Sequence, residues 1–134
     1  MQTRIAHMQF NVAAANLPFY RELFGFLGWE VIDDSAGSLG VADAGGASLW
    51  FIGEVKAVAN DYDGPGLNHL AIGAASIADV DATAGFLGGR QVELLFGTPQ
   101  HRPDFAGADD QTYYQVMFAS PDRVLFEVVY TGPK

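Results

Sequence analysis

The sequence predicts an α+β protein made of two similar modules, each with the order strand, helix and three strands. Two of its three histidines, His7 and His69, lie in matching apolar runs, IAHMQFNV and LNHLAIGA. Each run is followed by a helix candidate and then by short strand candidates separated by glycine. A chain of 134 residues is the size of one domain. We therefore expect a single domain over residues 1–134, with modules at about 1–58 and 66–134.

The first module begins with a strand predicted over residues 4–12. Asn16 is a candidate N-cap for the next helix, and Pro18 suits its first turn. Apolar side chains recur there close to the helical period and are predicted to face the core, namely Leu17, Tyr20, Phe24 and Leu27. Glycines then separate three predicted strands, at 29–32, 38–42 and 47–52.

The second module repeats this order, starting with a strand predicted over 67–72. Ser76 is a candidate N-cap, with Asp79 three residues on as a short capping box. The predicted apolar stripe of this helix consists of Ile77, Val80, Ala84 and Leu87. The predicted strands that follow are 91–96, 112–119 and 124–130. The polar segment 97–111 is predicted to be a long loop, and such loops are often functional.

Charge and composition exclude several classes of function. The net charge of −9 argues against binding to nucleic acid or to anionic membranes, both of which attract Lys and Arg. The acidic surplus is compatible with solvated turns or with a cationic small ligand. The absence of cysteine excludes disulfides and zinc–thiolate sites and suits a cytoplasmic protein. No apolar run approaches the ~20 residues of a membrane span, and we expect no signal peptide.

Three residues form a candidate metal site. His7 shares a predicted strand face with Gln9 and Asn11, which is more polar than a core stripe. Glu127 interrupts the apolar strand VLFEVVY, and a buried carboxylate normally finds a partner or a metal. Taken singly, the histidines could be hydrogen-bonded core residues and Glu127 could face solvent. Together with His69, they are the set that a divalent ion with open positions needs.

At these residues the chain resembles the vicinal-oxygen-chelate superfamily. Its members include glyoxalase I, fosfomycin-resistance proteins, extradiol dioxygenases and bleomycin-resistance proteins. The resemblance covers nearly the whole chain and rests on the order and spacing of several segments. These are IAHMQFNV, NLPFYRELFGFLGWEV, GLNHLAI, FLGGR and YYQVMFASPDRVLFEVVY.

The resemblance implies a cup-shaped, half-open mixed β-barrel of two βαβββ modules around a metal ion. It assigns His7, His69 and Glu127 as the ligands. The fourth ligand position of the family falls near Trp50, whose indole cannot ligate, so the chain resembles three-ligand members more than glyoxalase. Glu54 could reach that position only with a shifted strand register. The resemblance also implies a homodimer and Fe, Mn, Zn or Ni as the ion.

The function expected from these observations is a divalent-metal-dependent enzyme, a lyase, dioxygenase or transferase, acting on a small oxygen-rich substrate. Three ligands leave positions for two substrate oxygens, and the site charge favours an anionic ligand. The predicted substrate-binding residues are Gln9, Asn11, Trp50, Tyr113 and Arg102. His101 is a further candidate beside Arg102, and no residue stands out as a general base. The alternative is a non-catalytic protein that binds a cationic antibiotic, as bleomycin-resistance proteins do.

Overall fold

The computed structural model describes residues 1–53 and 55–134, which form two compact units, Met1–Ala59 and Asn60–Lys134. In the described residues, each unit contains one α-helix, one short 3-10 helix and one four-stranded sheet. No helix of these residues has the length and apolarity needed to cross a membrane. The elements of the first unit are β1 (His7–Asn11), α1 (Leu17–Phe26), β2 (Glu30–Ser35), β3 (Ser38–Ala42) and β4 (Ser48–Ile52).

The first sheet has the strand order β1-β4-β3-β2. β1 runs parallel to β4, and the remaining pairs are antiparallel. A parallel pair needs a crossover connection, which α1 and the β2–β3 hairpin supply. Asn16 stands at the N-cap of α1, as predicted, but its side chain makes no capping hydrogen bond.

Phe51 is the centre of the first core and is fully buried. Its ring stacks on Tyr20 of α1 at 4.3 Å between centroids and on Phe10 of β1 at 5.2 Å. Phe24 of α1 adds a tilted contact at 5.5 Å. The helix is therefore fixed to the sheet by aromatic packing on one face, and the other face of β1 and β4 stays partly open.

The second unit contains β5 (His69–Gly73), α2 (Ile77–Gly89), β6 (Gln100–His101), β7 (Gln111–Ala119) and β8 (Leu125–Pro133). The sheet order is β5-β8-β7-β6, with β5 and β8 parallel, so its connectivity matches that of the first unit. Ser76 caps α2 as predicted, because its hydroxyl accepts a hydrogen bond from the Asp79 amide at 3.1 Å. The α+β class and the two βαβββ modules are confirmed.

The strand predicted over 91–96 is wrong. In this segment only Leu94 forms a bridge, to Phe118, and the strand beside β7 is instead Gln100–His101, inside the predicted loop. Gln91 and Phe96 adopt positive φ values of 59° and 58°, which extended backbone cannot accommodate. The apolar residues of this segment are typical of a strand, but its backbone turns at both ends.

Thr98 holds this irregular segment against β7. Its buried hydroxyl donates to the Leu95 carbonyl at 2.7 Å and accepts from the Met117 amide at 2.9 Å.

Thr98→Val keeps the shape of the side chain and leaves the Met117 amide without its acceptor, so we expect a loss of about 1–3 kcal/mol in unfolding free energy. Urea denaturation of Thr98→Val beside Thr131→Val, an exposed β8 control, measures it. Equal stabilities of the two variants would contradict this role.

Candidate functional site

A cleft of about 660 Å³ opens on the second unit. Tyr114 of β7 donates a hydrogen bond to Asp81 of α2, so its side of the strand faces the helix. The neighbouring residues Tyr113 and Gln115 therefore point to the opposite face. The cleft lies on this opposite face. Its lining includes His69, Phe96, Arg102, Phe105, Tyr113 and Glu127.

His69 and Glu127 meet in this cleft. The register pairs Ala71 of β5 with Glu127 of β8, so His69 lies two residues before that pair on the same face. Its Nε2 atom is 3.0 Å from Glu127 Oε2. Glu127 is only 2 % exposed, whereas the His69 side chain is 36 % exposed. The buried carboxylate therefore has a partner that opens towards the cleft.

Asn68 sets the orientation of the His69 ring. The Asn68 side-chain amide donates to the Tyr62 carbonyl at 2.9 Å, which turns its oxygen towards His69 Nδ1 at 2.7 Å. Since that oxygen can only accept, Nδ1 must carry the hydrogen. Nε2 is the atom that faces Glu127: in a neutral ring it is the unprotonated nitrogen, and in a protonated ring it donates to the carboxylate.

The pair His69 and Glu127 fits a metal ion. A neutral Nε2 and a carboxylate oxygen are both acceptors, so their 3.0 Å approach requires a hydrogen or a cation between them. Imidazole and carboxylate ligands that lie ~2.1 Å from a divalent ion, at right angles, are themselves ~3.0 Å apart. The donor types and their spacing therefore suit two adjacent positions of a coordination sphere.

Tyr113 engages the other oxygen of Glu127. Its phenol donates to Oε1 at 2.5 Å, which leaves Oε2 to face His69. Burial, followed by the hydrogen bond to Glu127, raises the pKa of Tyr113 to about 12, against the opposing charge of Arg102. The phenol therefore keeps its proton at neutral pH and remains a donor to the carboxylate.

The first unit carries a second set of predicted site residues. His7, Gln9 and Asn11 are exposed on one face of β1, and Gln9 donates to Asn11 at 3.1 Å. Trp50 of β4 is the register partner of Gln9 and so shares that face. A Cβ atom at Gly40 would lie 2.8 Å from the Trp50 ring, so only glycine lets the indole lie flat on β3.

The two units have matching internal registers. In β1, His7 lies two residues before Gln9, which pairs with Trp50 of β4. In β5, His69 lies two residues before Ala71, which pairs with Glu127 of β8. Trp50 therefore occupies, in its own module, the position that Glu127 occupies in the other. That an indole stands at a fourth ligand position stays a prediction. Glu54, the other residue considered for that role, lies outside the described residues.

The fold is shared with several solved structures. A candidate glyoxalase from Bacillus halodurans is 27% identical, with a TM-score of 0.78 and 96% of each chain covered. The chain has the vicinal-oxygen-chelate fold. A glyoxalase/dioxygenase from Nostoc punctiforme is 19% identical with a TM-score of 0.75, covering 96% of this chain and 91% of that one. A fosfomycin resistance protein from Listeria monocytogenes is 18% identical with a TM-score of 0.66, covering 97% and 94%.

Sequence comparison alone does not reach this superfamily: no protein-family model and no curated protein matches the chain. The similarity is carried by the backbone, and the resemblance to the vicinal-oxygen-chelate superfamily is confirmed at that level.

The vicinal-oxygen-chelate fold places only part of the predicted site together. Tyr113 and Arg102 line the same cleft as His69 and Glu127. Across residues 1–53 and 55–134, no three His, Asp or Glu side chains are grouped closely enough to hold a metal. The role of His7 as third ligand stays a prediction, as do the substrate contacts of the first unit.

His101 does not line this cleft. Its Nδ1 atom lies 2.5 Å from the Thr112 hydroxyl, and the residue borders a different cavity of the second unit. Conversely, sequence reasoning missed Asn68 and Phe105. Asn68 stands beside His69 in the segment GLNHLAI, but only its hydrogen bond to Tyr62 reveals that it orients the imidazole.

Proposed function

We propose that the protein is a divalent-metal-dependent enzyme of the glyoxalase/dioxygenase superfamily, acting on a small oxygen-rich substrate, with His7, His69 and Glu127 as ligands. The observation that carries the proposal is the 3.0 Å approach of His69 Nε2 to Glu127 Oε2. Hydrogen bonds to Asn68 and Tyr113 orient this nitrogen and this oxygen towards each other, and a divalent ion can bridge the two atoms once it displaces any hydrogen between them.

The surrounding residues have distinct roles in this proposal. Asn68 accepts from Nδ1 of His69, so Nε2 is the nitrogen that can bind a metal, and Tyr113 occupies Oε1 of Glu127, which leaves Oε2 for the ion. When bound, a divalent ion of Fe, Mn, Zn or Ni would act as a Lewis acid that stabilises negative charge on substrate oxygens. Gln9, Asn11, Trp50, Tyr113 and Arg102 are the proposed substrate contacts, the last two from the cleft itself.

The candidate glyoxalase, glyoxalase/dioxygenase and fosfomycin resistance neighbours support the general class of the proposal. A homodimer and a cytoplasmic location complete it as predictions. The alternative, binding of a cationic antibiotic, rests on the acidic charge of the whole chain. The presence of Arg102 in the cleft favours the enzyme, because a guanidinium repels a cationic ligand.

Metal titration of the chelator-treated protein tests the proposal. Calorimetry with Mn²⁺, Zn²⁺, Ni²⁺ and anaerobic Fe²⁺ should detect about one ion per chain for at least one metal, and His69→Ala should abolish this binding. His101→Ala is the matched control, since it removes the histidine that borders the other cavity. Binding that survives His69→Ala, or is lost equally in His101→Ala, would contradict the assigned ligand.

A further inference from the structure

Two guanidinium groups lie on aromatic rings of the cleft that contains His69 and Glu127. The Arg102 guanidinium carbon is 5.0 Å from the centre of the Phe105 ring, and that of Arg123 is 5.5 Å from the centre of the Tyr62 ring. Both rings line the cleft. The chain has only seven Lys and Arg residues against sixteen Asp and Glu, so two of its few cations are gathered at one opening.

Neither of these arginines is neutralised within the part of the chain that the structure describes. Arg102 and Arg123 form no ion pair with the carboxylates of residues 1–53 and 55–134. In an acidic protein, cations without carboxylate partners beside a cleft are available to a ligand. The acidic residues of the lining are Glu127, which is held by Tyr113 and His69, and Asp63, which is exposed.

The same cleft exposes two large aromatic side chains. Phe96 is 55 % exposed and Phe105 is 57 % exposed, and both line the opening. Phe96 also adopts a positive φ of 58°, an uncommon backbone conformation for a bulky residue. Such strain often marks a residue held in place for binding. Phe105 packs edge-on against Tyr113, with ring centroids 5.4 Å apart, so one wall runs continuously from Arg102 to Glu127.

We propose that the substrate of this site is a small organic anion with a planar apolar body. Its carboxylate or phosphonate group binds Arg102, and its body lies against Phe96 and Phe105, which directs the other end towards His69 and Glu127. This inference rests on the proposed function for the reaction but not for the binding, because Arg102 and the two phenylalanines do not depend on a metal. It excludes a cationic ligand from the cleft.

Phenylphosphonate is a probe that carries both features. We expect it to shift the amide NMR signals of cleft residues in chelator-treated protein, and Arg102→Gln to raise its Kd about tenfold or more through loss of charge-assisted hydrogen bonds. Arg90→Gln is the matched control, since that guanidinium also covers a ring, 3.8 Å from the centre of Phe86, outside the cleft lining. It should leave the Kd unchanged.

Two further ligands separate charge from shape. Methylphosphonate lacks the ring and should bind more weakly than phenylphosphonate, and phenyltrimethylammonium should not bind. An unchanged Kd in Arg102→Gln, no binding of phenylphosphonate at all, or preferential binding of the cation would overturn the proposal. Since these titrations contain no metal, their failure is distinguishable from failure of the metal-dependent function, which the calorimetry measures separately.

Discussion

Glu127→Gln is expected to lower the affinity for divalent metal by more than about 100-fold, because even residues behind the ligands contribute 10- to 100-fold. Glutamine keeps the size of the side chain and one oxygen. That oxygen can accept the hydrogen bond that Tyr113 donates to Oε1 in the unmodified protein. It removes the anionic oxygen that faces His69 at 3.0 Å. Calorimetric titration of the chelator-treated variant measures the loss.

The control for this substitution is Glu30→Gln, which removes the same charge from an exposed residue of β2. Its metal affinity should equal that of the unmodified protein. Circular dichroism should show both variants folded, because glutamine has the volume of Glu127 and can still accept the hydrogen bond of Tyr113. If folded Glu127→Gln bound metal as strongly as the unmodified protein, the Glu127 carboxylate would not be a metal ligand.

Phe51→Ala is expected to cost about 3–5 kcal/mol of unfolding free energy. The ring is fully buried and contacts three other aromatic residues, Phe10, Tyr20 and Phe24. Its removal leaves a cavity between α1 and the first sheet. Because whole domains are stable by only about 5–15 kcal/mol, this one substitution consumes a large share of the total. Urea denaturation followed by circular dichroism measures the change.

Phe26→Ala provides the comparison, since Phe26 lies at the end of the same helix and is 43 % exposed. We expect it to cost much less than Phe51→Ala, because an exposed ring gains little from folding. Similar losses in the two variants would show that the aromatic packing around Phe51 does not dominate the stability of the first core.

The repeat was predictable because each module reproduces the same order of local signals. The two histidine-containing strands, the capping serine of α2 and the carboxylate within β8 are all short-range features, and each lies where the sequence indicates. The segment 91–96 was not predictable in this way. Its apolar letters fit a strand, whereas its backbone is decided by positive φ at Gln91 and Phe96, which neither side chain signals.

The candidate site was predictable in its residue types but not in its contacts. An acid inside an apolar strand and a histidine on a neighbouring strand indicate a pair, and the register brings His69 and Glu127 together. The orientation of that pair depends on Asn68 and Tyr113, through hydrogen bonds that follow no sequence spacing. The aromatic wall at Phe105 likewise depends on the turn after Arg102, which periodicity cannot describe.

Anomalous scattering from a crystal grown with Mn²⁺ would locate the bound ion. We expect a single strong peak ~2.1–2.2 Å from both His69 Nε2 and Glu127 Oε2, which is the bond length of such ligands. The same map would show which further side chain completes the site, with His7 expected. A structure with fully occupied Mn²⁺ elsewhere, and with His69 and Glu127 still joined by a hydrogen bond, would contradict the assignment of these two residues as metal ligands.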